Sequence, residues 1–253
     1  MQAGRARVVV AIVILVVWAA ITFNFGRDWG GEHRPLEDAV NAGFNWNLFF
    51  AGLFLAAALA VFRWRDVGLA APRPHTLKLL WLPVLFIVLF FAVAVLIGLP
   101  PLSILAIMLV NSLMVGWSEE MAFRGILFSA LRTWTAIWPA IIVTTVLFGA
   151  VHVLNGFGTG DWGNAVIQAC TAAMSGLIFM AILIRTGSII PAMAVHAFWD
   201  YGLFTMSAAL RGHSGEAPAV DTGIAVLLVP FALALPNFLY ALYLLRNVRS
   251  EPG

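Results

Sequence analysis

The sequence is poor in charged residues and in cysteine. Lys, Arg, Asp and Glu make up only 10% of its 253 residues, whereas 62% are hydrophobic. A soluble domain carries about 25% charged residues, so this composition is typical of a polytopic membrane protein. The single Cys170 excludes an intrachain disulfide and a cysteine-rich metal site. Its simplest interpretation is a small residue packed within a span.

Clustered basic residues and internal repeats are also missing. The formal net charge is only +2, and the Lys and Arg residues are spread over short loops, so no nucleic-acid partner is expected. No repeat of the kind that many transporters carry is present. The longest polar segments are short, which predicts a single membrane domain over residues 1–253. These segments are 26–43, 63–76 and 210–221.

Long apolar runs are abundant. A hydrocarbon core about 30 Å thick needs about 20 apolar residues in helical form. The runs predict an all-α fold, a polytopic bundle of about eight transmembrane helices. Arg5 and Arg7 before the first run resemble a signal peptide, but Trp18 and Phe23 indicate a membrane interface, so we expect an uncleaved span. The predicted spans are 8–25, 44–62, 77–98, 101–132, 138–155, 164–185, 188–209 and 222–246.

The distribution of Lys and Arg between the loops predicts the orientation. Three basic residues fall on one side of the membrane: Arg27, Arg34 and Arg211. Ten fall on the other side, and both termini are therefore expected to be cytoplasmic, in what we expect to be a bacterial plasma membrane. The ten are Arg5, Arg7, Arg63, Arg65, Arg73, Lys78, Arg132, Arg185, Arg246 and Arg249.

Six ionisable residues lie inside the predicted spans, where such residues are costly and usually mark a site or a pathway. Glu120 and Arg124 are four residues apart on the fourth span and can pair; His196 and Asp200 share a face of the seventh in the same way. The neighbouring Glu119 points elsewhere and needs another partner. The six are Glu119, Glu120, Arg124, His152, His196 and Asp200.

Counting residues along the chain predicts which of these side chains lie at the same depth in the membrane. Glu119 lies 16 residues before Thr135, the centre of the turn between the fourth and fifth spans, and His152 lies 17 residues after it. Both therefore stand about 25 Å from that turn. His196 lies only about 12 Å from the start of its own span, so the hairpin must protrude into the cytoplasm or the helices must tilt. We expect a site in the inner half of the membrane.

The chemistry that these residues suit is hydrolysis. No serine or cysteine stands in an elbow motif, so the nucleophile is expected to be water. Glu119 is a candidate general base, with His152 sharing the water, and His196 with Asp200 is a candidate for stabilising an oxyanion. Glu119, His152 and His196 are also acceptable ligands for a divalent metal such as zinc, although the HExxH spacing is absent. Metal-bound and metal-free attack both remain open.

Three ordered motifs resemble the CPBP family of intramembrane proteases, which includes the CAAX prenyl endopeptidases and bacteriocin-processing and self-immunity relatives. EExxxR is Glu119 to Arg124, FxxxH is Phe148 to His152, and HxxxD is His196 to Asp200. Together they cover roughly residues 101–205. The eukaryotic members have asparagine at the last position, so orienting His196 is the safer assignment for Asp200.

The resemblance implies an eight-helix bundle with a water-filled cavity open to the cytoplasm. It implies that Glu119 activates water with His152, that His196 and Asp200 stabilise the oxyanion, and that Glu120 and Arg124 shape the site. Phe148 belongs to the same shaping set through its motif. The family has been described both as metalloproteases and as glutamate proteases, so zinc stays open. The expected partners are the lipid bilayer and a membrane-associated, prenyl-carrying or lipid-like peptide substrate.

Two other functions remain possible from the residues alone. The first is a proton- or ion-coupled transporter, in which the buried Glu, His and Asp form a relay. The motif stretches look unbroken, whereas transporters often interrupt their helices at the binding site, which favours the protease. The second is a non-enzymatic membrane scaffold or immunity protein, in which the charges hold helices together.

Overall fold

The computed structural model describes residues 2–23, 43–214 and 224–249. Within these ranges the chain is helical and contains no strand, so the predicted all-α class is confirmed. The α-helices are α1 Gln2–Thr22, α2 Trp46–Phe62, α3 Trp81–Ile97, α4 Leu102–Glu120, α5 Ser129–Arg132, α6 Ile137–Val151, α7 Asn155–Thr159, α8 Trp162–Thr186, α9 Ile190–Ser214 and α10 Ile224–Leu245. A 3-10 turn at Pro74–Leu80 leads into α3, a π-helical segment at Met121–Phe128 joins α4 to α5, and a 3-10 turn at His152–Leu154 joins α6 to α7.

These elements form eight helical rods, one for each predicted span. Among the described residues, six rods are long and apolar enough to cross a membrane. The apolar helix α2 has 17 residues and is slightly shorter. The rod formed by α9 is not among the six, and it is the one that carries His196 and Asp200. The chain is therefore an integral membrane protein built as a polytopic helix bundle.

The fourth predicted span is not one continuous α-helix. Its α-helical part ends at Glu120, and the next eight residues, Met121–Phe128, form a π-helix. The fifth span is also interrupted, because α6 ends at Val151 and His152 opens a 3-10 turn. The expectation of unbroken motif stretches is wrong. An apolar run does not distinguish α from π backbone, so hydropathy gave no sign of the change.

The bundle is organised around two central helices. α9 packs against α3 and α4, and α8 packs against α6 and α10, while α1 lies beside α2 and the π-helical segment. Large apolar side chains such as Leu96, which is 85% exposed, point outward, as expected of faces that meet lipid. Cys170 is exposed on α8, so the interpretation as a packed residue is wrong. The outward face of that helix includes Val166 as well.

The segments with the ten basic residues contact one another at one end of the bundle, which we call the basic end. Arg7 near the start of α1 forms an ion pair with Asp66 at 2.6 Å, and the guanidinium lowers the pKa of that carboxyl below its usual value. The Trp138 indole donates to the carbonyl of Val248 at 3.0 Å, and the backbone NH of Arg73 donates to the carbonyl of Thr186 at 3.1 Å. Arg27 and Arg34, assigned to the opposite side, lie outside the described residues.

Candidate active site

The ionisable residues of three rods converge on one carboxylate oxygen. Glu119 Oε2 lies 3.8 Å from Nε2 of His152 and 3.9 Å from Nε2 of His196. Asp200 Oδ2 lies 3.5 Å from that same His196 nitrogen. The two histidines are far from Glu119 in sequence, and each reaches it from a different helix. The structure thus brings together the four residues that the sequence proposed as catalytic.

His152 takes its orientation from the end of α6. Its Nδ1 lies 2.8 Å from the carbonyl oxygen of Phe148. A carbonyl only accepts hydrogen bonds, so Nδ1 carries the hydrogen and the neutral ring leaves Nε2 as an acceptor. That acceptor faces Glu119 Oε2, which is buried and has no hydrogen-bond partner among the described residues. Two acceptors 3.8 Å apart leave room for a donor that bridges them.

His196 is held by Glu120 on one side of its ring. Nδ1 lies 2.9 Å from Glu120 Oε1, which also accepts from the Arg124 guanidinium at 3.0 Å. We assign Nδ1 as the donor, because a carboxylate paired with arginine is an acceptor. Asp200 contacts the opposite nitrogen, Nε2, at the longer distance of 3.5 Å. The contact that fixes the ring therefore comes from Glu120, which the sequence had placed among the site-shaping residues.

The Arg124 guanidinium is buried beneath the site. The residue is 1% exposed, and its second terminal nitrogen donates to the carbonyl of Gly176 at 2.8 Å. Its guanidinium carbon lies 4.0 Å from the centre of the Phe148 ring. A Cβ at Gly176 would stand 2.9 Å from Arg124 Nη2 and from Phe148, so only glycine leaves room for both. The i,i+4 pair of Glu120 and Arg124 thus lies inside the core, with partners on a third helix.

Aromatic rings fix the two imidazoles from behind. The Phe148 ring contacts His152 at 5.1 Å and His196 at 5.8 Å between ring centres. Phe179 of α8 stacks on His196 at 4.6 Å with an angle of 17° between the planes. Sequence reasoning missed Phe179 and Gly176, because the sixth span carries no ionisable candidate. The small residues Ala169 and Ala173, four apart on the same helix, were an available sign of close packing.

The register between α4 and α9 explains why His196 lies closer to the start of its span than Glu119 and His152 lie to their turn. Ile189, just before α9, packs near Gly125, and its backbone NH donates to the carbonyl of Gly68 at 2.8 Å. Ile189 is fully buried, so α9 begins inside the bundle. The turn near Thr135 lies ten residues beyond Gly125, or up to about 15 Å along the axis. The hairpin therefore extends past the start of α9, and its position relative to the cytoplasm stays a prediction.

Glu119, His152 and His196 carry the types of atom that bind zinc, but these atoms lie too far apart to share one tetrahedral ion. Two ligands of one tetrahedral zinc ion lie roughly 3.3 Å apart when the bonds are 2.0–2.1 Å long. Glu119 Oε2 lies 3.8 and 3.9 Å from the two histidine nitrogens. Among the described residues no group of three or more His, Cys, Asp or Glu side chains is arranged to hold a metal ion. We therefore derive no catalytic step through a metal.

Close approach of α4 and α9 depends on Gly116. A Cβ there would lie 2.6 Å from the carbonyl oxygen of Met193 and 2.8 Å from Cβ of Ala197. Gly116→Val is expected to force the helices apart, to lower the free energy of unfolding by about 1–3 kcal/mol and to reduce activity by lengthening the Glu120–His196 contact. Thermal unfolding and a proteolysis assay on the purified protein measure both effects.

Gly163→Val is the matched control for that substitution. A Cβ at Gly163, in the first turn of α8, has only Asp161 Oδ1 nearby, at an ordinary 3.5 Å. Unfolding and activity in this variant are expected to stay at wild-type levels. Equal behaviour of the two variants would show that the α4–α9 contact does not set the geometry of the site.

The family comparison covers the part of the chain that builds this site. Residues 101–202 match a family model described as Type II CAAX prenyl endopeptidase Rce1-like. No curated protein and no solved structure matched the chain. The matched range contains all three motifs and ends two residues after Asp200. The resemblance read from the motifs is confirmed for residues 101–202, which match this CAAX prenyl endopeptidase family model and form the part of the membrane bundle that builds the site.

Proposed function

We propose that this protein is an intramembrane endopeptidase that hydrolyses a peptide bond with a water molecule activated by Glu119 and His152. The water oxygen attacks the scissile carbonyl carbon while Glu119 takes one of its protons. The tetrahedral intermediate then collapses, the C–N bond breaks, and Glu119 returns the proton to the leaving amine. Atoms balance with water as the only co-reactant.

The geometry around Glu119 Oε2 supports this proposal. The oxygen is buried, lacks a hydrogen-bond partner among the described residues, and faces the acceptor nitrogen of His152 at 3.8 Å. A water that donates one hydrogen to each acceptor spans up to roughly 4.5 Å with ordinary hydrogen bonds. Such a water has its lone pair free to attack, and both of its hydrogens point at bases.

His196 is proposed to stabilise the oxyanion of the intermediate. Glu120 accepts from Nδ1, so Nε2 can donate to the oxyanion only when the ring is doubly protonated, and the Glu120 carboxylate stabilises that positive charge. The other nitrogen, Nε2, is directed toward Glu119 and Asp200, where the substrate carbonyl must lie if water is held at Glu119. A preorganised donor of this kind lowers the barrier most where water is excluded. Asp200 is proposed to hold His196 Nε2 until substrate arrives.

The substrate is proposed to be a membrane-associated or hydrophobic peptide. Glu119 and His152 lie on rods that are long and apolar enough to cross a membrane, and Glu119 and His196 are 8% and 5% exposed. A segment that reaches them must enter an apolar bundle, which favours peptides that carry a lipid group or an apolar stretch. A prenyl group is one such anchor, but the geometry described does not require it.

An unbiased comparison of cleaved membrane proteins tests the function. Cells that express wild-type protein or Glu119→Gln are compared for new peptide termini in the membrane fraction. Termini that depend on Glu119 identify the substrate, whereas identical sets would remove the proposal. Elemental analysis of active protein with and without chelator decides the metal question. Loss of activity on chelation, with restoration by zinc, would replace metal-free attack by metal-bound water.

The basic end of the bundle, with both termini, is proposed to face the cytoplasm. All ten basic residues assigned to one side lie on segments that meet there, and positive residues favour the cytoplasmic side. A reporter enzyme that works only in the cytoplasm is expected to be active when it is fused after Arg249. Activity of a reporter that works only outside the cytoplasm would invert the topology.

A further inference from the structure

We propose that α1, which carries no family motif, is a clamp that positions the π-helical segment and with it the adjacent Glu119 and Glu120. Two residues of α1 hold the chain on either side of that segment, Trp18 before it and Arg7 after it. Trp18 is therefore a positioning residue for catalysis. The link to hydrolysis rests on the proposed function, but the clamp itself does not.

The first holding point adjoins the general base. The indole NH of Trp18 donates to Oγ of Ser118 at 2.7 Å, and both residues are 0% exposed. A buried hydrogen bond of this kind is costly to leave unmade, so it fixes the rotation of the last turn of α4. Ser118 immediately precedes Glu119, and α4 ends one residue later, at Glu120.

The second holding point lies past the end of the π-helix. The Arg7 guanidinium donates to Oγ of Ser129 at 3.2 Å. Arg7 is itself fixed by its ion pair with Asp66 and by the Trp64 ring, whose centre lies 4.5 Å away. Trp18 lies eleven positions after Arg7, and Ser129 lies eleven positions after Ser118. Trp18 contacts Ser118 and Arg7 contacts Ser129, so the two stretches run antiparallel with matching spacing. The contacts therefore bracket residues 119–128.

Between these points α1 also contacts the aromatic core of the site. Trp18 meets Phe123 edge to face at 5.6 Å, and Phe123 meets Phe148 in the same way at 5.1 Å. Phe148 touches both catalytic histidines. A π-helix is much rarer than an α-helix and often occurs at functional sites. External contacts at both ends are what keep such a segment in one conformation.

Hydrogen exchange tests the clamp without any substrate. In the full-length protein, Trp18→Phe is expected to speed amide exchange in peptides from residues 117–130 roughly tenfold, as loss of one buried hydrogen bond predicts. Trp138→Phe is the matched control, since its indole also donates to the chain, at the basic end, and it should leave that region unchanged. Unchanged exchange at 117–130 in Trp18→Phe would overturn the clamp.

Kinetics on a cleaved substrate separates positioning from general stability. Trp18→Phe and Ser118→Ala are each expected to lower kcat about tenfold with KM unchanged, since each removes the same hydrogen bond. The double variant should be no slower than either single one. Additive losses, or a change in KM alone, would contradict a positioning role. If no proteolysis is found, the exchange result still decides whether the clamp exists.

Discussion

Replacing Glu119 by glutamine is expected to abolish proteolysis, with kcat reduced by about a thousandfold, while the protein stays folded. Glutamine keeps the shape of the side chain but cannot take a proton from water, and general-base catalysis contributes roughly 10²–10⁴ in rate. The carboxylate oxygen that changes has no hydrogen-bond partner among the described residues, so little stabilising contact is lost. Rates of substrate cleavage and the melting temperature of purified protein measure the two effects.

Asp161→Asn is the control for that substitution. Asp161 caps α8 by accepting from the backbone NH of Asn164 at 2.9 Å, and asparagine caps helices equally well. It is an exposed residue away from the convergent histidines, so its activity should remain that of the wild type. Substantial cleavage by Glu119→Gln would remove the assignment of Glu119 as base, and unfolding of that variant would give the residue a structural role instead.

The same substitution separates the protease from the two other functions considered. One argument against a transporter was that the motif stretches are unbroken, and the π-helix at Met121–Phe128 removes that argument. The family match over residues 101–202 now carries the case for a peptidase. A transporter would retain Glu119-dependent ion movement in the absence of any cleaved protein. A scaffold would keep its biological effect in Glu119→Gln once expression is matched.

Counting along the sequence was sufficient to predict two of the contacts in the site. The hairpin count placed Glu119 and His152 at one depth, and the structure sets them 3.8 Å apart. Counting four residues apart predicted the contact of Glu120 with Arg124, found at 3.0 Å. These predictions succeeded because helical rise and a short turn fix depth along an antiparallel pair. The catalytic roles of these residues stay predictions.

Contacts between rods that are distant in sequence were beyond the same reasoning. Nothing in a single sequence fixes the rotation of α9 against α4, so the approach of His196 Nδ1 to Glu120 was not foreseen. Gly176 contributes a backbone carbonyl and empty space, which no side-chain inventory marks. Phe179 is one of 19 phenylalanines, and its stacking on His196 depends on the position of α8.

The bundle itself was more accessible to prediction than its irregularities. The length of each apolar run is set by the thickness of the bilayer, so the rods begin and end near the predicted positions. The π-helix and the end of α6 at Val151 leave composition unchanged, and so they escaped hydropathy. Both irregularities lie next to a proposed catalytic residue, as expected if function rather than stability selects them.

Glu120→Gln is expected to have the second large effect, this time on stability as well as on activity. Glu120 is 0% exposed and is the only described carboxylate paired with Arg124, which is itself 1% exposed. The substitution leaves a buried guanidinium without a counter-charge, and breaking such a pair costs about 3–5 kcal/mol. The variant should melt well below wild type and cleave substrate at least a hundredfold more slowly. Arg185→Gln, which loses only a contact to the carbonyl of Leu244, is the control and should unfold near wild type.

A second substitution separates the two effects. In Glu120→Gln/Arg124→Gln the uncompensated charge is gone, and two neutral amides can hydrogen-bond in its place, so roughly half of the lost stability should return. Activity should not return, because glutamine at 120 accepts from His196 Nδ1 but cannot stabilise positive charge on that ring while the oxyanion forms. Recovery of both cleavage and stability would mean that the only role of Glu120 is to neutralise the charge of Arg124. A double variant that regains stability but stays inactive would show that the carboxylate of Glu120 contributes to catalysis through His196.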